Sequence, residues 1–459
     1  MSIMECADLA KALGGILISF RQGPAGFSSV SIDSRTVTPG ALFVALIGAA
    51  QDGHQYVKAA FEKGAVAALI ARSRLEDTDL NLEEAAQKRS GILLAVENTL
   101  KGLQDAAAYY LERFPRLLKI GITGSSGKTT VKEIAGAMIS REKAVVMNPG
   151  NLNSETGLPL SVFTARPFHE VGIFELGMNR HGEIEEITKV LKPHIALITN
   201  IGSAHIGFFG SNYAIAEEKK AIFSQFTGTE LALIPGDDPY RDILARGIRG
   251  RTVFYDSQAE VQDRGIEGFE IVWDGLPARF KLPGKHNLHN AFAAAAIAAA
   301  VPVRPQSIRE GLESASALFG RSEVLQGPVT VIRDCYNANP ESMQAAIELC
   351  DALENAGRRI YVIGAMLELG AESRNAHETL GRRLTASKAD LICLYGDETL
   401  PAEKILRAEG RISCFHTNNI EALASYLSDY LQTGDTVLLK GSRGCALERL
   451  TGVLLPGGR

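Results

Sequence analysis

The stretch GITGSSGKTT occupies residues 121–130. It resembles a phosphate-binding loop, but its spacing is one residue off. The common pattern is Gly, four residues, then Gly-Lys-Ser/Thr. Counting back from Gly127 puts Ile122 where the first Gly belongs, while Gly121 comes one place early and Gly124 two places late. The flanks decide the matter. An apolar strand, LLKIGIT (117–123), leads into the loop, and an amphipathic helix, KTTVKEIAGAMIS (128–140), leaves it. That is the strand–loop–helix setting of a phosphate cradle. Gly124 and Gly127 admit positive φ and close backbone approach. Ser125, Ser126 and Thr130 join them as nucleotide-binding candidates, and the helix N-terminus offers free N–H groups and partial positive charge. Lys128 is placed to hold terminal phosphates and Thr129 to put its hydroxyl on Mg²⁺.

Outward from the loop, VGIFEL (171–176) and HIALITN (194–200) read as buried strands, and NLHNAFAAAAIAAAV (287–301) as an Ala-rich helix. Near-continuous apolar strands alternating with helices imply a parallel sheet covered on both faces. We assign this unit to 98–318. Residues 1–97 mix short strands, ALFVALIG (41–48) and GILLAV (91–96), with one helix, HQYVKAAFEKGA (54–65). From 319 to 459 the alternation restarts with VTVIRD (329–334), RIYVIGAM (359–366), DLICLYG (390–396) and DTVLLKGS (435–442), separated by helices of about twelve to fifteen residues. The expected fold is therefore α/β with three domains. A P-loop parallel-sheet domain is flanked by a small α/β N-terminal domain and a Rossmann-like C-terminal one.

Composition fits that scheme: 459 residues, 46% hydrophobic, 22% charged, net charge -5. The negative balance argues against a nucleic-acid footprint, which needs a basic face. Six scattered Cys form no Cys-x-x-Cys pair, which excludes common zinc and redox motifs and suits a reducing cytosol. Charges at Glu5, Asp8 and Lys11 speak against a secretory signal. The apolar run 291–301 is too short to span a bilayer. The expectation is a cytoplasmic monomer without membrane insertion.

Two further groups belong with the loop. Glu175 and His205 each follow a strand, at the sheet edge where open α/β folds bind ligands. Beside a P-loop Thr, a carboxylate and an imidazole suit a divalent cation. In AEEKKAIF (216–223), Lys219 and Lys220 read by themselves as a solvated helix face.

TGSSGKTT, FELGMN, SAHIGFFG, GKHNLHNAFAAAA (284–296), DCYNANPESM (334–343) and KGSR (440–443) occur in this order. Together they resemble the Mur ligase family, which adds amino acids to the UDP-MurNAc peptide of bacterial cell-wall precursors. The shortened TG-x-x-GKTT loop is typical of that family. Within it, NLNSETGLP (151–159), DCYNANP and GAMLELG (364–370) are similar to the member that attaches D-Ala-D-Ala to UDP-MurNAc-tripeptide. The resemblance implies an ATP- and Mg²⁺-dependent amide ligase working through an acyl phosphate.

It also implies roles. Lys128 and Thr129 bind phosphate and metal, with Lys128, Lys219 and His205 in the catalytic centre. Glu175 and His205 are metal ligands. A carbamylated lysine supports a second Mg²⁺, with Lys219 the match to the local pattern and Lys220 the near miss. His286 and Asn287 contact adenine, Arg321 reaches the phosphates, and Asp334 and Tyr336 hold the nucleotide, Asp334 on the ribose. Asn337 and Asn339 shape that loop, and Asn339 also suits helix capping before Pro340. Ser34 and Arg35 are candidates for UDP, with a salt bridge the equal alternative for Arg35. Asn151, Asn153 and Thr156 face the muramoyl peptide. Lys440 or Arg443 approaches the dipeptide or a phosphate. Ala365, Ser154, Gly444 and Cys445 depart from the family pattern and bear on peptide contacts, not on the ATP machinery. The alternatives are a family member adding a single amino acid, against which stands the lack of an Asp-Asn-Pro-Arg motif, and a P-loop switch or motor, against which stands the Glu/His pair.

Overall fold

Near-continuous apolar runs become inner strands, because a sheet covered on both faces buries the side chains of both. In the central unit β1 (Leu118–Thr123) lies between β2 (Val171–Glu175) and β3 (Ile195–Ile198), and every residue of β2 and β3 is buried. The strand Val145–Met147 lies outside β2, and Leu231–Pro235 and Arg251–Tyr255 lie outside β3; all pairs are parallel. From β1 the chain runs out to one edge, returns as β2, then crosses to β3. The reversal leaves a crevice above the C-terminal end of β1, where such sheets bind ligands. The computed structural model describes residues 2–23, 25–48, 51–256, 259–354, 357–410 and 413–455.

Helix α1 (Lys128–Ile139) starts directly after the loop, and α2 (Asn212–Lys220) follows β3. Helix α3 (Lys285–Ala300) packs on α1, its alanines allowing close approach around Val131, Ala135 and Met138. Parallel units do not account for all of 98–318. Strands Glu260–Asp263, Phe269–Trp273 and Leu276–Phe280 form a separate antiparallel sheet. There Phe269 and Ile271 point inward while Glu270 points out, the alternation of a sheet with one wet face.

The N-terminal sheet runs Ile16–Ser19, Ile92–Val96, Ala67–Ala71, Ala41–Val44, Ser29–Ser31, antiparallel only at its first pair. Among the described residues it carries three α-helices where one was expected: Cys6–Ala12, Val57–Glu62 and Leu82–Gln87. The expected 54–65 helix is shorter, since a 3₁₀ turn at Gly53–Tyr56, with the Asp52 side chain accepting from the His54 amide, precedes it. The helix Thr99–Glu112, capped by Asn98, buries Leu103, Ala106 and Tyr110 in a core shared by Leu69, Leu94 and Phe163. The N-terminal and central sheets thus share one apolar seam. The Tyr110 hydroxyl adds a bond to the Ala165 carbonyl at 2.7 Å.

In the C-terminal unit β4 (Thr330–Asp334) pairs with β5 (Thr436–Lys440), followed by Arg359–Gly364, Leu391–Tyr395 and Ser413–Thr417, all parallel. Glu323–Gln326 adds an antiparallel edge. The helices between its strands are α4 (Pro340–Ala352, 13 residues), Ser373–Thr385 (13), Leu400–Glu409 (10) and Ile420–Tyr430 (11), the last two shorter than expected. Among the described residues no helix is long and apolar enough to cross a membrane.

Candidate active site

The loop is fixed from beneath. Gly124 has φ +149° and Gly127 +79°, and a Cβ at Gly124 would sit 1.8 Å from Thr199 Oγ1. Only glycine fits there. The Thr199 hydroxyl donates to the Ser126 carbonyl at 2.6 Å, and the Ser126 amide donates to Asn200 Oδ1 at 3.1 Å. Ser125 Oγ donates to the Gly202 carbonyl at 3.0 Å. Thr130 is buried in the first turn of α1.

Three basic side chains and one carboxylate converge above it. Thr129 Oγ1 donates to Glu175 Oε2 at 2.8 Å and accepts from Arg321 Nη2 at 3.1 Å. Lys128 Nζ and Lys219 Nζ both donate to the Gly124 carbonyl, at 2.8 and 2.9 Å. Burial, with Arg321 nearby, lowers the Lys128 pKa. Burial and then Lys128 hold the Lys219 amine well below the ordinary lysine range. Lys219 is 1% exposed. Lys220, its neighbour on α2, points outward toward Glu217 at 3.9 Å.

His205 adopts φ +66°, a conformation L-residues avoid, and strain of this kind gathers at functional sites. Burial, then the charges of Lys128 and Lys219, lower its pKa to about 4. Its Nδ1 is buried without a hydrogen-bond partner, although Glu368 Oε2 lies 3.3 Å away outside bonding geometry. The segment before His205 is held by the C-terminal unit: Glu341 accepts from the Ser203 amide at 2.8 Å and from its hydroxyl at 2.9 Å. No cluster of three His, Cys, Asp or Glu exists among the described residues. A metal here would rest on Thr129, Glu175 and His205, and an additional anion would have to come from elsewhere.

Residues from α3 and the C-terminal unit line the other wall. The Arg321 guanidinium lies 4.2 Å from the centre of the Tyr336 ring. His286 Nε2 meets Ser322 Oγ at 2.8 Å, and the Ser322 amide donates to Asp334 Oδ1 at 3.1 Å. Asp334 Oδ2 pairs with Lys440 Nζ at 2.9 Å, and Lys440 also donates to the Asn337 carbonyl at 2.8 Å. The Lys440 ammonium therefore organises the Asp334 loop. Asn287 Nδ2 donates to the Pro283 carbonyl at 2.8 Å, and Asn339 forms a capping box with Ser342 on α4. Arg443 pairs with Glu448 at 2.6 Å.

Of the remaining residues, only Asn153 reaches this centre among the described contacts. Arg35 is 85% exposed and pairs with Asp33 at 2.7 Å, a local ion pair, while Ser34 is half-buried beside it. Asn151 is exposed. Thr156 Oγ1 meets Ser154 Oγ at 3.2 Å. Asn153 points inward, its Nδ2 donating to Glu175 Oε1 at 2.6 Å. Sequence reasoning passed over Asn148, Asn200, Asn290 and Glu341. Asn290 faces the loop so closely that a Cβ at Gly127 would lie 2.1 Å from its Oδ1. Its place three residues after Asn287 on an alanine-rich helix was the available signal.

Family models match three consecutive segments: "Mur ligase family, catalytic domain" over 27–110, "Mur ligase middle domain" over 122–298, and "Mur ligase, glutamate ligase domain" over 320–443. The chain belongs to the Mur ligase family. Among its relatives, a Treponema pallidum protein named UDP-N-acetylmuramoyl-tripeptide--D-alanyl-D-alanine ligase is 44% identical over 98% of this chain and 99% of its own. A Bacillus subtilis protein of the same name is 32% identical over 96% of each. The crystal structure of MurF from Acinetobacter baumannii superposes with TM-score 0.85 at 29% identity, covering 99% of both chains. MurF ligase from Thermotoga maritima in complex with ADP superposes with TM-score 0.78 at 28% identity, covering 93% of this chain and 96% of that one.

Proposed function

We infer that this chain is an ATP-dependent ligase that joins UDP-MurNAc-tripeptide to D-Ala-D-Ala, through an acyl phosphate, in peptidoglycan precursor synthesis. The observation that carries this reading is the convergence of Lys128, Lys219, Arg321 and the Thr129–Glu175 pair on one phosphate loop. Transfer of a phosphoryl group to a carboxylate brings two anions together, and fixed cations lower that barrier.

The chain's own groups divide the work. Loop amides and the α1 N-terminus receive the phosphates. Lys128 leaves the Gly124 carbonyl for the terminal phosphate, with Arg321 beside it. The tripeptide carboxylate attacks the γ-phosphorus and ADP leaves. The D-Ala-D-Ala amine then attacks the acyl carbon and phosphate leaves. His286, Asn287, Asp334 and Tyr336 hold the nucleotide, Ser34 and Arg35 the UDP, and Asn151, Asn153 and Thr156 the muramoyl peptide.

Mg²⁺ would be held by the hard oxygens of Thr129 and Glu175, with His205 as the further ligand we assign from the same sheet edge. When bound, it neutralises phosphate charge. A buried neutral amine is the form of lysine that takes up CO₂, so Lys219 is the residue we assign to carbamylation. That step releases a proton and leaves an anion beside Lys128. We divide the chain into 1–97 for the UDP substrate, 98–318 for ATP and 319–459 for ligation, and place it in the cytoplasm as a monomer.

The test is phosphate release from ATP with each substrate in turn. Release that needs both UDP-MurNAc-tripeptide and D-Ala-D-Ala supports the reading. Equal release without either one contradicts it.

A further inference from the structure

Asn148 is 1% exposed, and both ends of its carboxamide and its backbone carbonyl have partners. Its Oδ1 accepts from the Glu175 amide at 2.9 Å. Its Nδ2 donates to the Glu175 carbonyl at 3.1 Å and to the Leu152 carbonyl at 2.8 Å. Its own carbonyl accepts from Lys132 Nζ at 2.5 Å, and Lys132 is wholly buried on α1, one turn beyond Lys128. One side chain and one peptide group therefore fasten three segments: the helix of the phosphate loop, the end of β2, and the 149–156 loop. From that loop Asn153 returns to Glu175 Oε1 at 2.6 Å, while Glu175 Oε2 holds Thr129. The ring closes through the carboxylate.

We propose that Asn148, held by Lys132, is a positioning residue that couples the 149–156 loop to the Glu175 carboxylate, so that order in the loop and orientation of the carboxylate are set together. The inference rests on the roles given above to that loop and to Glu175. Buried polar groups left without partners are costly, so this network has one satisfied arrangement and resists partial disruption. An isolated mainstay for either segment would leave the other unaffected. Here neither can move without breaking a bond to Asn148.

The test uses the full chain with Asn148→Ala, Asn148→Asp and Lys132→Met. Calorimetry without ATP or Mg²⁺ measures UDP-MurNAc-tripeptide binding, and steady-state kinetics measure kcat, each KM and the Mg²⁺ concentration for half-maximal rate. For Asn148→Ala the expectation is weaker UDP-substrate binding by about tenfold and a Mg²⁺ requirement raised by a similar factor, since small misplacements of site groups have effects of this size or larger. The KM for D-Ala-D-Ala stays unchanged. Lys132→Met shifts the same two quantities, and a Lys132→Met/Asn148→Ala double variant falls short of the product of the singles. A purely structural role lowers kcat through the active fraction and leaves substrate affinity and Mg²⁺ requirement alone. That pattern overturns the proposal, as does a shift in only one of the two quantities. Failure of the wild-type chain to bind UDP-MurNAc-tripeptide would instead overturn the function.

Discussion

The phosphate loop at 124–130 and the 33–36 loop of the N-terminal unit both face ligands in our reading, yet they are built differently. The first is anchored through Thr199 and Asn200, with Glu175 and Lys219 buried against it. The second presents Arg35 almost fully to solvent, neutralised by an aspartate two residues away. A preformed site spends little ordering on its ligand; an exposed pair must rearrange when the ligand arrives. The difference predicts that substitutions in the first loop act on ATP binding and turnover and those in the second on affinity for the UDP substrate.

The largest effect belongs to Lys128→Ala. Ligation should fall by about 10³-fold or more, the scale of losing a charge on a transferring phosphoryl group. Binding of UDP-MurNAc-tripeptide by calorimetry should change little. Ligation at the wild-type rate would remove Lys128 from the centre. Next comes Lys219→Ala, with a loss of about 10²-fold and partial rescue by acetate or formate. Lys220→Ala should be near wild type, and rescue of that variant instead would move the carbamate to Lys220.

Gly124→Ala should weaken ATP binding by about tenfold or more, because it adds strain of roughly 1–3 kcal/mol and meets Thr199. Equal ATP affinity would mean the loop is not held as described. Arg35→Ala should raise the KM for the UDP substrate by about fivefold, the scale of one exposed charge-assisted bond, leaving kcat and melting temperature unchanged. A fall in kcat with no change in KM would erase the contrast between the two loops. The smallest effect is expected for Glu341→Ala. Its bonds to Ser203 are exposed, so turnover should drop only about two- to threefold.

Legibility followed what each signal depends on. The central strands were readable because full burial on both faces leaves an unbroken apolar run. The phosphate loop was readable because strand, glycines and helix are contiguous. The antiparallel strands at 260–280 were not, since Glu260–Asp263 is wholly exposed and carries no apolar stripe. The edge strand Glu323–Gln326 is four residues long and only partly buried. Asn148, Asn200 and Glu341 act through backbone groups on distant segments, and no spacing in the sequence announces such contacts. The bond from the Asn153 carboxamide to Glu175 was equally hidden, because it depends on the turn at 149–156 folding back over β2. The shift of a buried lysine is likewise a property of its surroundings, so Lys219 and Lys220 differ in the structure far more than adjacent residues of one type differ in a sequence.

The central claim is that this loop activates a peptide carboxylate. UDP-MurNAc-tripeptide with ¹⁸O in its terminal carboxylate, incubated with ATP, Mg²⁺ and D-Ala-D-Ala, tests it directly. An acyl phosphate predicts one ¹⁸O in each phosphate released and one kept in the new amide. Phosphate free of ¹⁸O would contradict the account.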